Sequence, residues 1–197
     1  MANSLKVYAD AGLTTEQATP VVATQNVDGS TPPIMFQLWL GSAIASRTFQ
    51  ASSNPGVDQI ALSIENNTPL WEASAAFIVD DLVRTTTKNG YRYDVQSIVG
   101  GGVSDSVEPT WPTVVGNTVV DNEITWECIG KQHEITEVKI ALTQGGLGAA
   151  VAGDPLDVGV QILSASPVEF WIEVDDVTEE LSTFTELRID SNLTDET

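Results

Sequence analysis

The chain has 197 residues, 42% hydrophobic and 18% charged, a balance that supplies a packed core for one or two domains and excludes a broadly disordered polymer. Eight Lys and Arg stand against 28 Asp and Glu, a formal net charge of −20 that repels a phosphate backbone and argues against nucleic acid as a partner.

From the start, Met1-Ala2-Asn3-Ser4-Leu5-Lys6-Val7-Tyr8 has no basic stretch followed by an apolar run, and nowhere do about 18 apolar residues follow one another. Neither a secretion signal nor a membrane span is expected. Strands are expected at Ile34 to Leu40, Gln59 to Ile64, Tyr91 to Val95, Glu123 to Ile129, Val138 to Thr143 and Val168 to Val174. In Gln59-Ile60-Ala61-Leu62-Ser63-Ile64 and in Val168-Glu169-Phe170-Trp171-Ile172-Glu173-Val174 apolar and polar residues alternate, the period of a half-buried strand. Turns fall at Asp28-Gly29, Pro55-Gly56, Asn89-Gly90, Gly100-Gly101-Gly102 and Gly116-Asn117, and no window of a dozen residues carries a 3.6-residue apolar stripe. The fold class is therefore all-β. From Val168 to Thr197 ten acids face Arg188 alone, which reads as a solvated outer face.

Aromatic residues mark a boundary. Trp71, Phe77, Tyr91, Tyr93, Trp111 and Trp126 lie within one stretch, between the polar segments Asn66-Asn67-Thr68-Pro69 and Gly130-Lys131-Gln132-His133. This predicts an inserted β module over 71–130. Residues 1–70 and 131–197 are too poor in strands to close a sandwich separately, so together they are expected to form one discontinuous β-sandwich. Asp58 to Glu65 and Glu137 to Thr143 are its strands nearest the insertion, at a surface site such as a hairpin loop. A module of this size without disulfide or metal needs a dense aromatic core, so Trp71, Tyr93 and Trp126 are assigned chiefly to packing. Trp111, between Pro109 and Pro112, is the ring expected at the surface; Trp111, Tyr91 and Trp71 are the candidate contacts for glycan or protein, since a flat indole or phenol stacks on either.

The usual reactive constellations are missing from the sequence. His133 is the only histidine and Cys128 the only cysteine, which rules out a His dyad, a multi-histidine metal site, an intrachain disulfide and a cysteine zinc cage within one chain. Cys128 lies on an expected strand as a small buried hydrophobe. Asp80-Asp81 and Asp175-Asp176 read as solvated acids rather than calcium ligands, because neighbours on a strand face opposite ways and no Asp-x-Asp-x-Asp-Gly loop occurs. Gly100-Gly101-Gly102 lacks the Lys and helix that cradle phosphate and is expected to be a flexible loop. No carboxylate pair is marked out for glycoside hydrolysis. No catalytic residue, metal site or cofactor is expected.

The stretch runs from Trp71 through Asp80-Asp81-Leu82-Val83, Asn89-Gly90-Tyr91-Arg92-Tyr93, Glu108-Pro109-Thr110-Trp111-Pro112 and Gly116-Asn117-Thr118-Val119-Val120-Asp121 to Ile124-Thr125-Trp126. In this order it resembles a small β module of bacteriophage virion proteins, and is similar also to short chitin- and cellulose-binding modules. Asp80 and Asn122 stand where that pattern has Gly. The flanks, Leu5-Lys6-Val7-Tyr8-Ala9-Asp10 and Leu147 to Gly159 among them, resemble small virion proteins in texture. The resemblance implies a non-enzymatic virion structural protein made in the bacterial cytoplasm, first of all a capsid decoration or cement subunit with an outward-projecting module. It would bind the major capsid or other virion proteins as a homo-oligomer, with a trimer as the guess. Neck, tail or baseplate placement and glycan binding for host attachment are the alternatives.

Overall fold

The structure, a computed structural model, describes residues 4–18, 21–25, 32–66, 68–131, 134–175, 182–191 and 194–197. The expected Asp28-Gly29 turn, His133 and Asp176 lie outside them. Before the insertion the strands are β1 (Lys6–Tyr8), β2 (Val21–Gln25), β3 (Ile34–Gly41), β4 (Thr48–Ala51) and β5 (Ala61–Asn66). Within it lie β6 (Leu82–Arg84), β7 (Tyr91–Ile98), β8 (Thr118–Asp121) and β9 (Ile124–Lys131). After it come β10 (Val138–Ala141), β11 (Leu156–Asp157), β12 (Ile162–Leu163), β13 (Val168–Val174), β14 (Ser182–Ser191) and β15 (Thr194–Glu196). Single 3-10 turns at Ile135–Glu137 and Gln144–Gly148 are the helical elements among the described residues, and no helix there is long and apolar enough to cross a membrane.

The chain divides into two units, Met1–Glu65 with Glu134–Thr197, and Asn66–His133. The edges of the second differ by a few residues from the 71–130 read from composition.

In the first unit, alternation decides which side chains go inside. Along β13, Phe170, Ile172 and Val174 are buried while Glu169, Trp171 and Glu173 face outward. β13 pairs with β3 over seven residues, from Val168↔Leu40 to Val174↔Ile34, which brings Leu38 and Leu40 to the same inner face. The three sheets run β1-β3-β13-β10, β11-β5-β14-β2 and β12-β4-β15. Leu38, Leu40, Ile140, Phe170 and Ile172 from the first sheet meet Val21, Leu62 and Ile64 from the second and Phe49 and Ile162 from the third in one cluster. The result is a sandwich-like all-β fold. Each sheet takes strands from both ends of the chain, which is why neither end looks complete alone.

Two differences from the sequence reading stand out. β5 and β10, the strands flanking the insertion, lie in different sheets and do not form a hairpin with each other. The acid-rich end holds a strand that the sequence reading did not place, because β14 pairs with β2 from Ser182↔Gln25 to Leu187↔Val21 across a bulge. Its acids disguise a strand, since charge count and period report different properties of a segment.

The second unit is an antiparallel sheet in the order β6-β7-β9-β8. Its core is Trp71, Val83, Tyr93, Val95, Ile124, Trp126 and Cys128, which forms no disulfide, with the Phe77 ring edge-on to Trp126 at 5.0 Å. Asp80 and Asn122 both adopt left-handed backbone, φ 73° and 52°, the conformation glycine reaches without strain. The Gly100 to Gly102 run, expected to be flexible, is pinned. Glu123 Oε2 accepts the amides of Gly101 and Val103, and the Gly102 carbonyl accepts Phe77 N at 2.9 Å. Gly102 has φ 67°, and a Cβ there would lie 2.6 Å from the Phe77 carbonyl oxygen. Gly102→Ala is therefore expected to lower stability by about 2 kcal/mol, measured by denaturant unfolding.

Candidate interaction site

The second unit is organised around a buried carboxylate. Asp121, at the end of β8, is 2% exposed, and its Oδ2 accepts Trp71 Nε1 at 2.8 Å and Trp126 Nε1 at 2.9 Å. Its Oδ1 accepts the Asp105 amide at 2.8 Å. Charge-assisted hydrogen bonds thus fix two indoles edge-on and satisfy the acid that burial would otherwise penalise.

Trp71 is 6% exposed, which removes it from the candidate contacts. Tyr91 is half-buried, and Lys131 Nζ lies 4.5 Å from its ring centroid, so one phenol face already has a cation on it. Trp111 is also half-buried rather than open: its ring lies 4.3 Å from Tyr93 and 5.7 Å from Trp126. Pro112 biases Trp111 to extended backbone, and the indole lies against the Tyr93 and Trp126 rings instead of standing in solvent. The Tyr93 hydroxyl donates to the Pro112 carbonyl at 2.8 Å and accepts Asn89 Nδ2 at 2.8 Å; burial pushes its pKa up to about 12, so it remains a donor.

The remaining edge of Trp111 opens on a groove of about 310 Å³, lined also by Thr85, Thr87, Asn89, Glu108 and Thr113. Glu108 joins its parts. Oε1 accepts Trp111 Nε1 at 2.8 Å and the Thr86 amide at 2.9 Å, and Oε2 accepts the Thr86 hydroxyl. One ring edge beside hydroxyl and amide groups suits a small polyhydroxylated ligand or a polar protein side chain. Glu108 is the one carboxylate lining the groove, already engaged by three donors, and hydrolysis of a glycoside requires two. Tyr91 does not line it. The groove residues missing from the sequence reading are Thr85, Thr87, Asn89 and Glu108; only the Glu108-x-x-Trp111 spacing gave a local hint.

Among the described residues no group of three His, Cys, Asp or Glu side chains could hold a metal ion. Asp94 and Glu127 are cross-strand neighbours on the outer face of the sheet. Burial first, then the charges of Glu127 and Asp80, holds the Asp94 carboxyl above the usual carboxylate range. The folded state then binds its proton more tightly than the unfolded one, so this group's contribution to stability falls as pH rises from the usual carboxylate range through the raised value. Asp94→Asn is expected to stabilise the protein at pH 7, with the gain disappearing near about pH 3, as read by urea unfolding at both values.

No family model, curated protein or solved structure matches the chain.

Proposed function

We propose that the chain is a non-catalytic structural subunit of a bacterial virus particle, of the decoration or cement kind, which binds shell proteins and assembles as a symmetric oligomer. The observation that carries this reading is the build of the chain: a sandwich made from both chain ends and, inserted between them in the sequence, a separately cored β unit whose Trp71-to-Trp126 stretch resembles virion modules. A second support is the outer face of the β1-β3-β13-β10 sheet. There Trp39, Trp171 and Met35 remain partly exposed beside Gln37 and Glu169, a mixture of aromatic, Met and polar groups typical of protein interfaces. The reading is tested by sedimenting the purified chain with shells that lack it. Saturable co-sedimentation at a fixed ratio is expected, and a strictly monomeric protein with no affinity for shells sinks the reading.

The groove beside Trp111 favours a second reading, glycan binding for host attachment. Retention on host cell-wall polysaccharide that is lost in Thr113→Arg, which fills the groove from an exposed position, is the expected result of this reading. Equal retention of both proteins removes it.

A further inference from the structure

β10 is an edge strand, and one stretch of its ladder has no strand beside it, with Ile140 there 4% exposed. It pairs with β13 through Lys139↔Glu173 and Ala141↔Trp171, and the alternation of an antiparallel ladder turns the backbone groups of Val138 and Ile140 the other way. The Val138 carbonyl accepts Gly153 N at 2.9 Å and its amide donates to the Ile135 carbonyl, so both its groups are engaged. The Ile140 amide and carbonyl have no partner among the described residues.

The segment pinned at Gly153 departs from the strand there and leaves a groove of about 480 Å³, lined by Ile140, Leu142, Ala149, Ala150, Val151 and Asp154 among others. Leu142 is 45% exposed and Val151 63% exposed. Edge strands are commonly guarded by charged side chains, proline or a bulge. The loop through Gly153 covers this four-residue strand at Val138 and Pro155 stands in the groove wall, but at Ile140 itself the single charge of β10, Lys139, is held on the sheet face by Glu173 at 2.6 Å and the register is regular.

We propose that this groove receives an extended segment of another protein, added as a further strand along β10 at Ile140. Its backbone would satisfy the Ile140 amide and carbonyl, alternate apolar side chains would lie against Leu142 and Val151, and a Lys or Arg would reach Asp154. The occupant is a segment that carries Lys or Arg, which is complementary to Asp154 in the groove and to the chain's net charge of −20. The inference does not depend on the particle in which the chain works.

Amide hydrogen exchange on the full chain tests the premise. Ile140 is expected to exchange at least about tenfold faster than Lys139 and Ala141. A displayed library of random peptides of roughly seven residues, selected on the wild-type chain, tests the occupant. Recovered peptides are expected to alternate apolar residues, carry Lys or Arg, and slow exchange at Ile140 by about tenfold or more. They should bind about fivefold more weakly to Asp154→Lys, and Ala150→Trp, which fills the groove, should abolish binding. The proposal is overturned if Ile140 is as protected as its neighbours in the free chain, if no peptide is recovered, or if recovered peptides leave Ile140 exchange unchanged.

Discussion

Asp121→Ala is expected to lower the stability of the second unit by about 4 kcal/mol, because two buried indole donors and a part-buried amide lose a charged acceptor together. The donors are the Trp71 and Trp126 indoles and the Asp105 amide, and among the described residues the two indoles have no other acceptor. Loss of burial at Trp71 and Trp126 would shift the tryptophan emission to the red before the sandwich unfolds. Hydrogen exchange on β7 and β9 should accelerate while β3 and β13 keep their protection. A loss below about 1 kcal/mol would mean that water or a rearranged side chain replaces the carboxylate easily, and the account of this unit would then be wrong at its centre.

Phe170→Ala is expected to cost the first unit about 4 kcal/mol. Phe170 is fully buried on β13, paired with Leu38 on β3, and belongs to a cluster with Phe49 and Leu62 from the N-terminal segment. Because the sandwich is closed from both chain ends, the loss should appear as faster exchange in β3 and β5 as well as in β13, with the second unit's β7 unaffected. If protection fell only along β13, the two ends would not share one core.

What could be read beforehand follows from the range over which each interaction acts. Val168 to Val174 shows its strand within seven residues, because period-two alternation is local, and the structure places it there without shift. The packing roles of Tyr93 and Trp126 were legible because a module this small without disulfide or metal needs a dense aromatic core, and that of Cys128 because it sits on an expected strand. Lys6–Tyr8 and Thr48–Ala51 were not legible, since three or four residues carry too little alternation to stand out. Which strand joins which sheet is not a local property either. Lys6 pairs with Gly41 and Thr194 with Ala51, and such pairings are decided by the whole fold. The groove was hidden similarly, because Thr85 and Asn89 in the β6–β7 loop and Glu108 in the β7–β8 loop are far apart in sequence and meet only where Trp111 lies down on Tyr93. Proline flanks suggested an exposed ring, yet the indole lies against the Tyr93 and Trp126 rings.

The proposed role as a repeated part of a viral shell is tested most directly by a density map of purified particles from the source that encodes the chain. The account expects many symmetry-related copies on the outer shell, each contacting the main shell protein. Copies confined to a single vertex or tail would move the chain to the neck, tail or baseplate, and a particle containing none would contradict the account altogether.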